Sequence, residues 1–280
     1  MPVTRARPTT LFHYTTATGL LGILQSNTLH ATHARFLNDG EELQYGLTVV
    51  REVLERCPAP PGVGVTNALL QEPFATIFVA CFCETDDQLS QWRGYAPGET
   101  GYSIGFSTST LPMDRLRLVH YKRSDQERVV RRAIERGVAP STVEDFRIDS
   151  DESAARAWAL TEELVIVATT LKHPTFADER EWRLVKHIPI RQPDGILEGD
   201  RTSVDVHFRP ARRFVIPYVI EKLPTVEGIW GTGVLDLNSV RFGPTEHPKE
   251  AREALEWLLW SEGYKNHAEL IKGSEVPLRV

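Results

Sequence analysis

Cysteine is scarce in this sequence of 280 residues: Cys57, Cys81 and Cys83 are the only three. An odd and small number of cysteines gives no disulfide framework, and no second cysteine pair completes a zinc site. Cys81 and Cys83 are two residues apart in an apolar run, so in a strand both point to one face of the sheet. We interpret them as small buried apolar side chains.

Long apolar runs are also missing. No run is long enough to cross a membrane, and residues 1–10 lack the apolar segment of a secretory signal. The net charge is −6 and the pI is about 5.9, which is unusual for a general binder of nucleic acid or of anionic membranes. We therefore expect a cytoplasmic protein with no membrane partner.

Several common catalytic motifs are absent. The sequence has no G-x-S-x-G nucleophile elbow, no P-loop and no G-x-G-x-x-G fingerprint. His30 and His33 lack the spacing of an H-E-x-x-H helix, so we expect no bound metal. The chemistry must come from residues that no such motif marks.

Patterns typical of strands occupy both ends of the chain, and patterns of helical period lie between them. The continuous apolar run from Thr76 to Phe82 predicts a buried central strand. Basic and amphipathic helical patterns fill about residues 122–172. We predict one α+β domain over residues 1–280, with a mainly helical insertion at about 122–172.

The sharpest polar feature is the segment E-R-E-W-R, which carries Glu179 and Glu181. If Glu181 begins a strand, the two carboxylates share a face, as a pair that divides catalytic labour requires. One would stabilise a developing positive charge while the other orients a nucleophile. The alternative is a solvated salt-bridge cluster with Arg180 and Arg183.

His13 lies in the first predicted strand, between Phe12 and Tyr14. Its imidazole can donate a hydrogen bond to a ribose hydroxyl, or it can be a core histidine bonded to the backbone. Thr15 can contact a ligand or cap the next helix. Tyr14 is equally consistent with core packing and with ligand stacking.

A second candidate segment contains Trp92, Arg93 and Tyr95 next to a glycine. Aromatic faces, a fixed cation and a close approach to the backbone suit a ligand with a base and a phosphate. The alternative is that Arg93 pairs with Glu84 or Asp86 in a surface network.

Several segments together resemble a bacterial family described as domain of unknown function 2971. They are F-H-Y-T with the following G-L-L-G-I-L, A-T-H-A-R-F-L-N-D, S-Q-W-R-G-Y, G-Y-S-I-G-F, E-x-E-W-R-L and F-G-P. The segments spread over nearly the whole chain. The resemblance implies a family but no activity.

The layout is also similar to the ADP-ribosyltransferase superfamily, which has a histidine on the first strand and a glutamate on a late strand. That resemblance implies split antiparallel sheets flanked by helices, with NAD as the substrate. His13 would bind ribose, Glu181 would be catalytic, and Glu179 would orient the acceptor. The tyrosine of the middle motif has no aligned counterpart, and Tyr14, Tyr95 or Tyr102 are the replacements.

The leading hypothesis is ADP-ribosyl transfer from NAD to a macromolecule, either protein or nucleic acid, with Arg93 holding phosphate. The superfamily implies a toxin or phage-defence role. One alternative is a non-catalytic sensor or interaction module that binds a nucleotide. A further alternative is a metal-dependent nuclease that uses Glu179, Glu181 and Asp39. The leading hypothesis requires the first strand and the E-x-E strand to lie side by side.

Overall fold

Helices and mostly antiparallel strands make up the protein, as a computed structural model describes it for residues 7–37, 41–57, 75–96, 100–136, 152–189, 205–210 and 215–277. The helices are α1 (Ala17–Ser26), α2 (Glu42–Arg56), α3 (Leu89–Tyr95), α4 (Arg123–Arg136), α5 (Glu152–Ala168), α6 (Pro248–Ser261) and α7 (His267–Leu270). Two 3-10 turns lie at Ala34–Phe36 and Pro174–Glu179.

The strands are β1 (Thr10–Thr15), β2 (Thr28–His33), β3 (Ala75–Cys83), β4 (Tyr102–Ser107), β5 (Leu116–Leu118), β6 (Glu181–Pro189), β7 (Val206–Pro210), β8 (Val215–Lys222), β9 (Thr225–Glu227), β10 (Gly233–Leu235), β11 (Leu237–Phe242) and β12 (Ile271–Gly273). Ten of them form one sheet in the order β12-β11-β4-β1-β3-β2-β8-β7, with β6 on β3 and β5 on β6. β9 and β10 form a separate hairpin.

The sheet forks at β3, which means that one edge of β3 pairs with two different strands, β1 and β2. β6 pairs with β3 along its whole length, from Ala75 to Cys83. The other edge of β3 is therefore shared: β1 pairs at Cys83, and β2 pairs at Phe78 and Val79. Both β1 and β2 run antiparallel to β3, so the two strands must diverge from one another along this edge.

Burial on both faces explains the unbroken apolar sequence of β3. Phe78 and Phe82 belong to the largest core cluster, which also contains residues of β1, β4 and α1. Ile77 and Val79 face the other way and pack with Val185 of β6. This arrangement confirms the buried central strand that the sequence predicts.

Helices α2, α4 and α5 pack on one another around a second core, which includes Val50, Val130, Leu160 and Leu164. α4 and α5 fall inside the range expected for the helical insertion. α2 approaches the end of α5 so closely that a Cβ at Gly46 would overlap the carbonyl oxygen of Ala168. The glycine is therefore needed for this contact.

The fold is mixed α/β, with open sheets and helices on them. The sequence predicts that strands at Gly101–Ser107 and Leu116–Tyr121 form a meander and that Thr18 caps the first helix, and both predictions are wrong. β5 pairs with β6, because residues 116–118 lie opposite 182–184, so β4 and β5 form no meander. Helix α1 is capped by Thr16, whose hydroxyl accepts a hydrogen bond from Gly19 N at 3.2 Å. Among the described residues, no helix combines the length and the apolarity that crossing a membrane requires.

Candidate functional site

The strand that carries His13 and the strand that carries Glu181 are not neighbours. β3 lies between them, with β1 on one edge and β6 on the other. The expectation that the first strand and the E-x-E strand lie side by side is therefore wrong.

The two side chains also point to opposite faces. Phe12 and Glu181 both lie opposite Cys83, and residues that face each other across a ladder share a face. His13 is the next residue along β1, so it projects to the other face. Its ring lies 5.7 Å from that of Phe82, in the large core. The shared sugar site that the sequence analysis proposed for His13 and Glu181 is not formed.

His13 is half-buried, and a backbone carbonyl satisfies its imidazole. Nδ1 lies 2.8 Å from the carbonyl oxygen of Cys81, on the edge that β1 leaves free. Burial lowers the pKa of His13 against the effect of this hydrogen bond, and Arg209 and His30 lower it further. His13 is thus a neutral side chain at the place where β1 and β2 separate along β3. Its two basic neighbours are Arg209 and His30.

Glu181 belongs to a buried charge cluster, which consists of Glu42, Lys172, Glu179, Glu181 and Arg183. Arg183 donates from Nε to Glu181 at 2.8 Å, from Nη2 to Glu42 at 2.6 Å and from Nη1 to the carbonyl of Thr169 at 2.5 Å. Lys172 Nζ lies 2.7 Å from Glu42, 2.6 Å from Glu179 and 3.3 Å from Glu181. The cluster therefore joins α2, the turn before β6, and β6 itself.

Three carboxylates share two cations in this cluster. Burial acts to raise the pKa of Glu181, but Arg183 and Lys172 outweigh it and lower the pKa to about 2. Burial raises the pKa of Glu179, with Lys172 opposing and Glu181 and Glu42 adding to the rise. Glu181 is thus firmly ionised, whereas Glu179 takes up a proton more readily than Glu181 does.

Arg180 takes no part in the cluster. It is exposed, in the left-handed conformation with φ of 45°, at the junction between the 3-10 turn and β6. The salt-bridge cluster expected from the sequence is present, but it is buried and its second cation is Lys172. The side chain of Glu181 is only 5% exposed and that of Glu179 is 22% exposed, so Glu179 is the more accessible of the two carboxylates.

Trp92 is a packing centre. Its indole Nε1 donates to Asp87 at 2.8 Å, and its ring packs edge-on against Tyr14 with centroids 4.7 Å apart. A Cβ would come within 3.2 Å of this ring at Gly101 and within 3.1 Å at Gly243. Close packing around the Trp92 ring therefore explains why glycine occupies positions 101 and 243.

The other aromatic and polar candidates divide between the two faces. Tyr14 and Tyr95 lie with Trp92 and Cys83 on the Glu181 face, and the Tyr14 hydroxyl donates to the carbonyl of Thr85 at 2.9 Å. Burial raises the pKa of Tyr95, and Glu181 is among the groups that add to the rise. Arg93 is exposed on α3.

Thr15 lies opposite Tyr102 in the β1–β4 ladder, on the His13 face. Tyr102 packs against the large core, and a Cβ at Gly19 would overlap the Thr15 hydroxyl. Both side chains are therefore engaged in packing. The seven residues predicted to bind a cofactor do not form one pocket.

A polar site that the sequence analysis did not propose lies beside the fork. Five residues on β2, β8 and β7 form it, and we call it the fork site: His30, Thr32, His207, Arg209 and Tyr218. Arg209 Nη2 donates to the Thr32 hydroxyl at 2.8 Å, and its guanidinium carbon lies 5.9 Å from the Tyr218 ring centroid. The rings of His30 and His207 stack beside Tyr218 at 4.1 Å and 5.5 Å.

A local signal for the fork site exists in the sequence. His30 and Thr32 are two residues apart on β2, and His207 and Arg209 are two apart on β7, so each pair shares a face. Burial lowers the pKa of Arg209 and of His30, and Arg209 adds to the lowering at His30. Arg209 has no carboxylate partner among the described residues, whereas His207 Nε2 lies 2.9 Å from Asp205 Oδ1, so the site is a partly compensated basic surface beside aromatic rings.

The nuclease alternative depends on carboxylates that are free to bind a metal. Glu179 and Glu181 are both bonded to Lys172, and Asp39 lies outside the described residues. In the part of the chain that the structure describes, no group of three or more histidine, cysteine or carboxylate side chains is placed to hold a metal ion.

Residues 91–184 match the model of the family described as Protein of unknown function (DUF2971). The match covers about a third of the chain and supports the resemblance to the domain-of-unknown-function 2971 family. It includes Trp92 and four of the five residues in the buried charge cluster, while the fork site lies outside it. Neither the search of curated proteins nor the search of solved structures gave a match.

Proposed function

We propose that this protein binds a nucleotide through the fork site. The observation that carries the proposal is the environment of Arg209, a half-buried guanidinium held by the Thr32 hydroxyl. Among the described residues no carboxylate pairs with it. Partial burial of a cation without a counter-ion costs free energy, and an anionic ligand recovers part of this cost.

Phosphate is the anion that suits this arrangement. A guanidinium offers paired N–H donors that match two phosphate oxygens. His30 lies on the same face, and its pKa is lowered by burial, by Arg209 and by His207. A bound phosphate reverses the last two effects, because it screens the imidazole from the neighbouring positive charges.

The rings supply the second half of a nucleotide site. His30, Tyr218 and His207 form a row of stacked rings across β2, β8 and β7. A nucleobase gains stacking energy on such a surface without base-specific hydrogen bonds. NAD and ADP, each with a base and two phosphates, are the first ligands to test.

The test is calorimetric titration of NAD, ADP and adenosine into the wild-type protein, Arg209→Gln and Arg93→Gln. Glutamine can still bond to Thr32 but has no charge. We expect Arg209→Gln to weaken binding of NAD and ADP by about 10–100-fold, since charge-assisted hydrogen bonds contribute about 1.5–3 kcal/mol. Adenosine should bind weakly and indifferently to all three.

Arg93→Gln is the matched control, because it removes the arginine that the sequence analysis assigned to phosphate. It should bind both nucleotides as the wild type does. Equal affinity of wild type and Arg209→Gln, or no binding by the wild type at millimolar nucleotide, contradicts the proposal.

ADP-ribosyl transfer from NAD to a macromolecular acceptor is the second candidate. The observation that favours it is the E-x-E pair itself: Glu181 is ionised, Glu179 is partly open to solvent, and Tyr95 lies on the same face. In this version His13 has no part, and Tyr95 takes the place of the middle-motif tyrosine. An ADP-ribosyltransferase-like fold, a cytoplasmic location and a toxin or phage-defence role belong to this candidate.

Incubation with NAD labelled in the adenylate half separates the two candidates. Transfer of label to protein, DNA or RNA with release of nicotinamide, lost in Glu179→Gln, supports the enzyme. Binding of NAD without release of nicotinamide supports the first candidate, a protein that binds the nucleotide without reacting with it.

A further inference from the structure

Helix α6 and the β9–β10 hairpin expose three tryptophans that the proposed function does not use. Trp257, Trp230 and Trp260 are 64%, 56% and 42% exposed. Trp260 packs edge-on against each of the other two, with ring centroids 5.7 Å apart in both pairs. Clustered exposed tryptophans on a soluble protein mark an interaction surface.

Charged residues complete this surface in an ordered way. Lys249, Arg252, Glu253 and Glu256 line an open groove of about 670 Å³ together with Trp257, Trp260 and His267. The opposite side of α6 is buried through Leu255 and Leu259. The outer face of the helix is therefore both aromatic and charged, and it has no partner within the described residues.

The charges that line the groove are antisymmetric about the point between Arg252 and Glu253. In chain order the charges that line the groove are positive, positive, negative, negative, at positions 249, 252, 253 and 256; Glu250 is exposed but does not line the groove. The spacing is palindromic, since 249 and 256 lie as far from the midpoint between 252 and 253 on one side as on the other. An identical helix laid antiparallel across this midpoint thus meets every cation with a carboxylate.

We infer that this face binds a second copy of the chain, with the two α6 helices antiparallel about a two-fold axis. Lys249 of each copy pairs with the partner's Glu256, and Arg252 pairs with the partner's Glu253. The same surface on both copies makes a closed, self-complementary contact. A parallel arrangement would place like charges together, which disfavours it.

Within the described residues of the single chain, Arg252 donates from Nη2 to the carbonyl oxygen of Ile271 at 3.2 Å, a neutral partner that leaves its positive charge uncompensated. Arg252 and Glu256 approach only to 3.9 Å within one helix, and both are near half-exposed. Such a pair contributes little in isolation. Exchanging it for pairs across an interface that excludes water strengthens the attraction, because the effective dielectric constant falls.

The exposed tryptophans supply the apolar area of the proposed interface. A helix of 14 residues is about 21 Å long, which is too small a surface for the roughly 800 Å² per partner that a stable interface buries. The hairpin tip extends it: Val226 and Ile229 are 46% and 44% exposed, and Trp230 Nε1 donates to the Trp260 carbonyl at 3.2 Å. The proposed interface therefore includes α6 and this hairpin.

Light scattering coupled to size-exclusion chromatography tests the inference on the full chain over a range of concentrations. We expect a mass twice the 31.6 kDa of one chain. The double variants Lys249→Glu with Arg252→Glu, and Glu253→Lys with Glu256→Lys, should each be monomeric, with dimer dissociation constants raised more than about hundredfold. An equal mixture of the two variants should restore a dimer, because each copy then carries the complementary charges.

Arg131→Glu with Arg132→Glu on α4 is the matched control: it makes the same change of charge at exposed positions elsewhere and should remain dimeric. A wild-type chain that is monomeric at about 100 μM, where interfaces of standard size associate, overturns the inference. So does a dimer that persists in both α6 variants. Two monomeric variants that fail to associate when mixed overturn the antiparallel pairing.

Discussion

Replacing Arg183 by methionine tests whether the buried charge cluster holds the helices to the sheet. The Arg183 side chain is only 3% exposed and carries the closest contacts of Glu42 and Glu181. Methionine keeps much of the volume and removes the charge. Among the described residues, Lys172 would then be the only cation for three carboxylates, two of which are no more than 10% exposed.

The expected cost follows from breaking a buried ion pair by removing one partner, which is about 3–5 kcal/mol. A domain of this size loses about 2–4 °C of melting temperature per kcal/mol, so the midpoint should fall by roughly 6–20 °C. Arg180→Met is the matched control. The exposed Arg180 lies outside the cluster, and its replacement should change stability by less than about 0.5 kcal/mol.

The pH dependence gives a second readout. In the wild type the pKa of Glu181 is lowered to about 2, so its contribution is complete above the normal glutamate pKa and is lost as the pH falls towards 2. Without Arg183 the pKa of Glu181 rises, and protonation relieves the unpaired charge. The deficit of Arg183→Met should therefore shrink between pH 7 and pH 4. A loss below about 1 kcal/mol at pH 7 in urea denaturation would refute the account of a compensated buried network.

Three further predictions concern other parts of the molecule. Gly46→Ala should cost about 1–3 kcal/mol in urea denaturation because its Cβ overlaps the carbonyl of Ala168, whereas Gly22→Ala, in open space on α1, should be neutral or stabilise by up to about 1 kcal/mol; equal effects contradict this. Burial lowers the pKa of His33 to about 4, so the folded protein should lose stability as the pH falls from 6.5 to 4, and His33→Asn should lose less. NAD should bind about threefold or more tightly at pH 5.5 than at pH 7.5, because a phosphate favours protonated His30, and His30→Asn should remove this dependence.

The sequence was informative wherever a local pattern decides the structure. The apolar run over residues 76–82 predicts β3, the helical period over residues 41–56 predicts α2, and the pattern over residues 248–260, stopped by Gly263, predicts α6, each close to its observed bounds. The left-handed Gly263, with φ of 92°, ends the α6 region as expected. Each of these features depends on neighbours within a few residues.

The pairing of distant charges could not be predicted in this way. Glu42 reaches Arg183 across 141 residues, and nothing in either segment records the other. Sequence spacing predicts that Arg180 pairs with Glu179 or Glu181. Instead Arg180 has a left-handed backbone, is exposed and lies outside the cluster. The strand order could not be predicted either. β3 lies between β1 and β6 because it pairs with strands that are far from it in the sequence.

The fork site was missed for a different reason. His30 lacks the spacing of a metal-binding helix, and Arg209 stands in a strand of five residues in the last third of the chain, where no motif marks it. Their proximity follows from β8, which pairs with β2 on one edge and with β7 on the other. Alternation along β2 and β7 predicts which residues share a face, but the sequence does not say that the two faces meet.

NAD binding by Glu181→Gln and Arg209→Gln, compared by calorimetry after thermal melts show that both variants are folded, tests the central claim directly. The account places the ligand at the fork and gives Glu181 a structural role. It predicts that Glu181→Gln binds NAD within about twofold of the wild type, while Arg209→Gln loses at least about tenfold. Loss of binding in Glu181→Gln with normal binding in Arg209→Gln would contradict it.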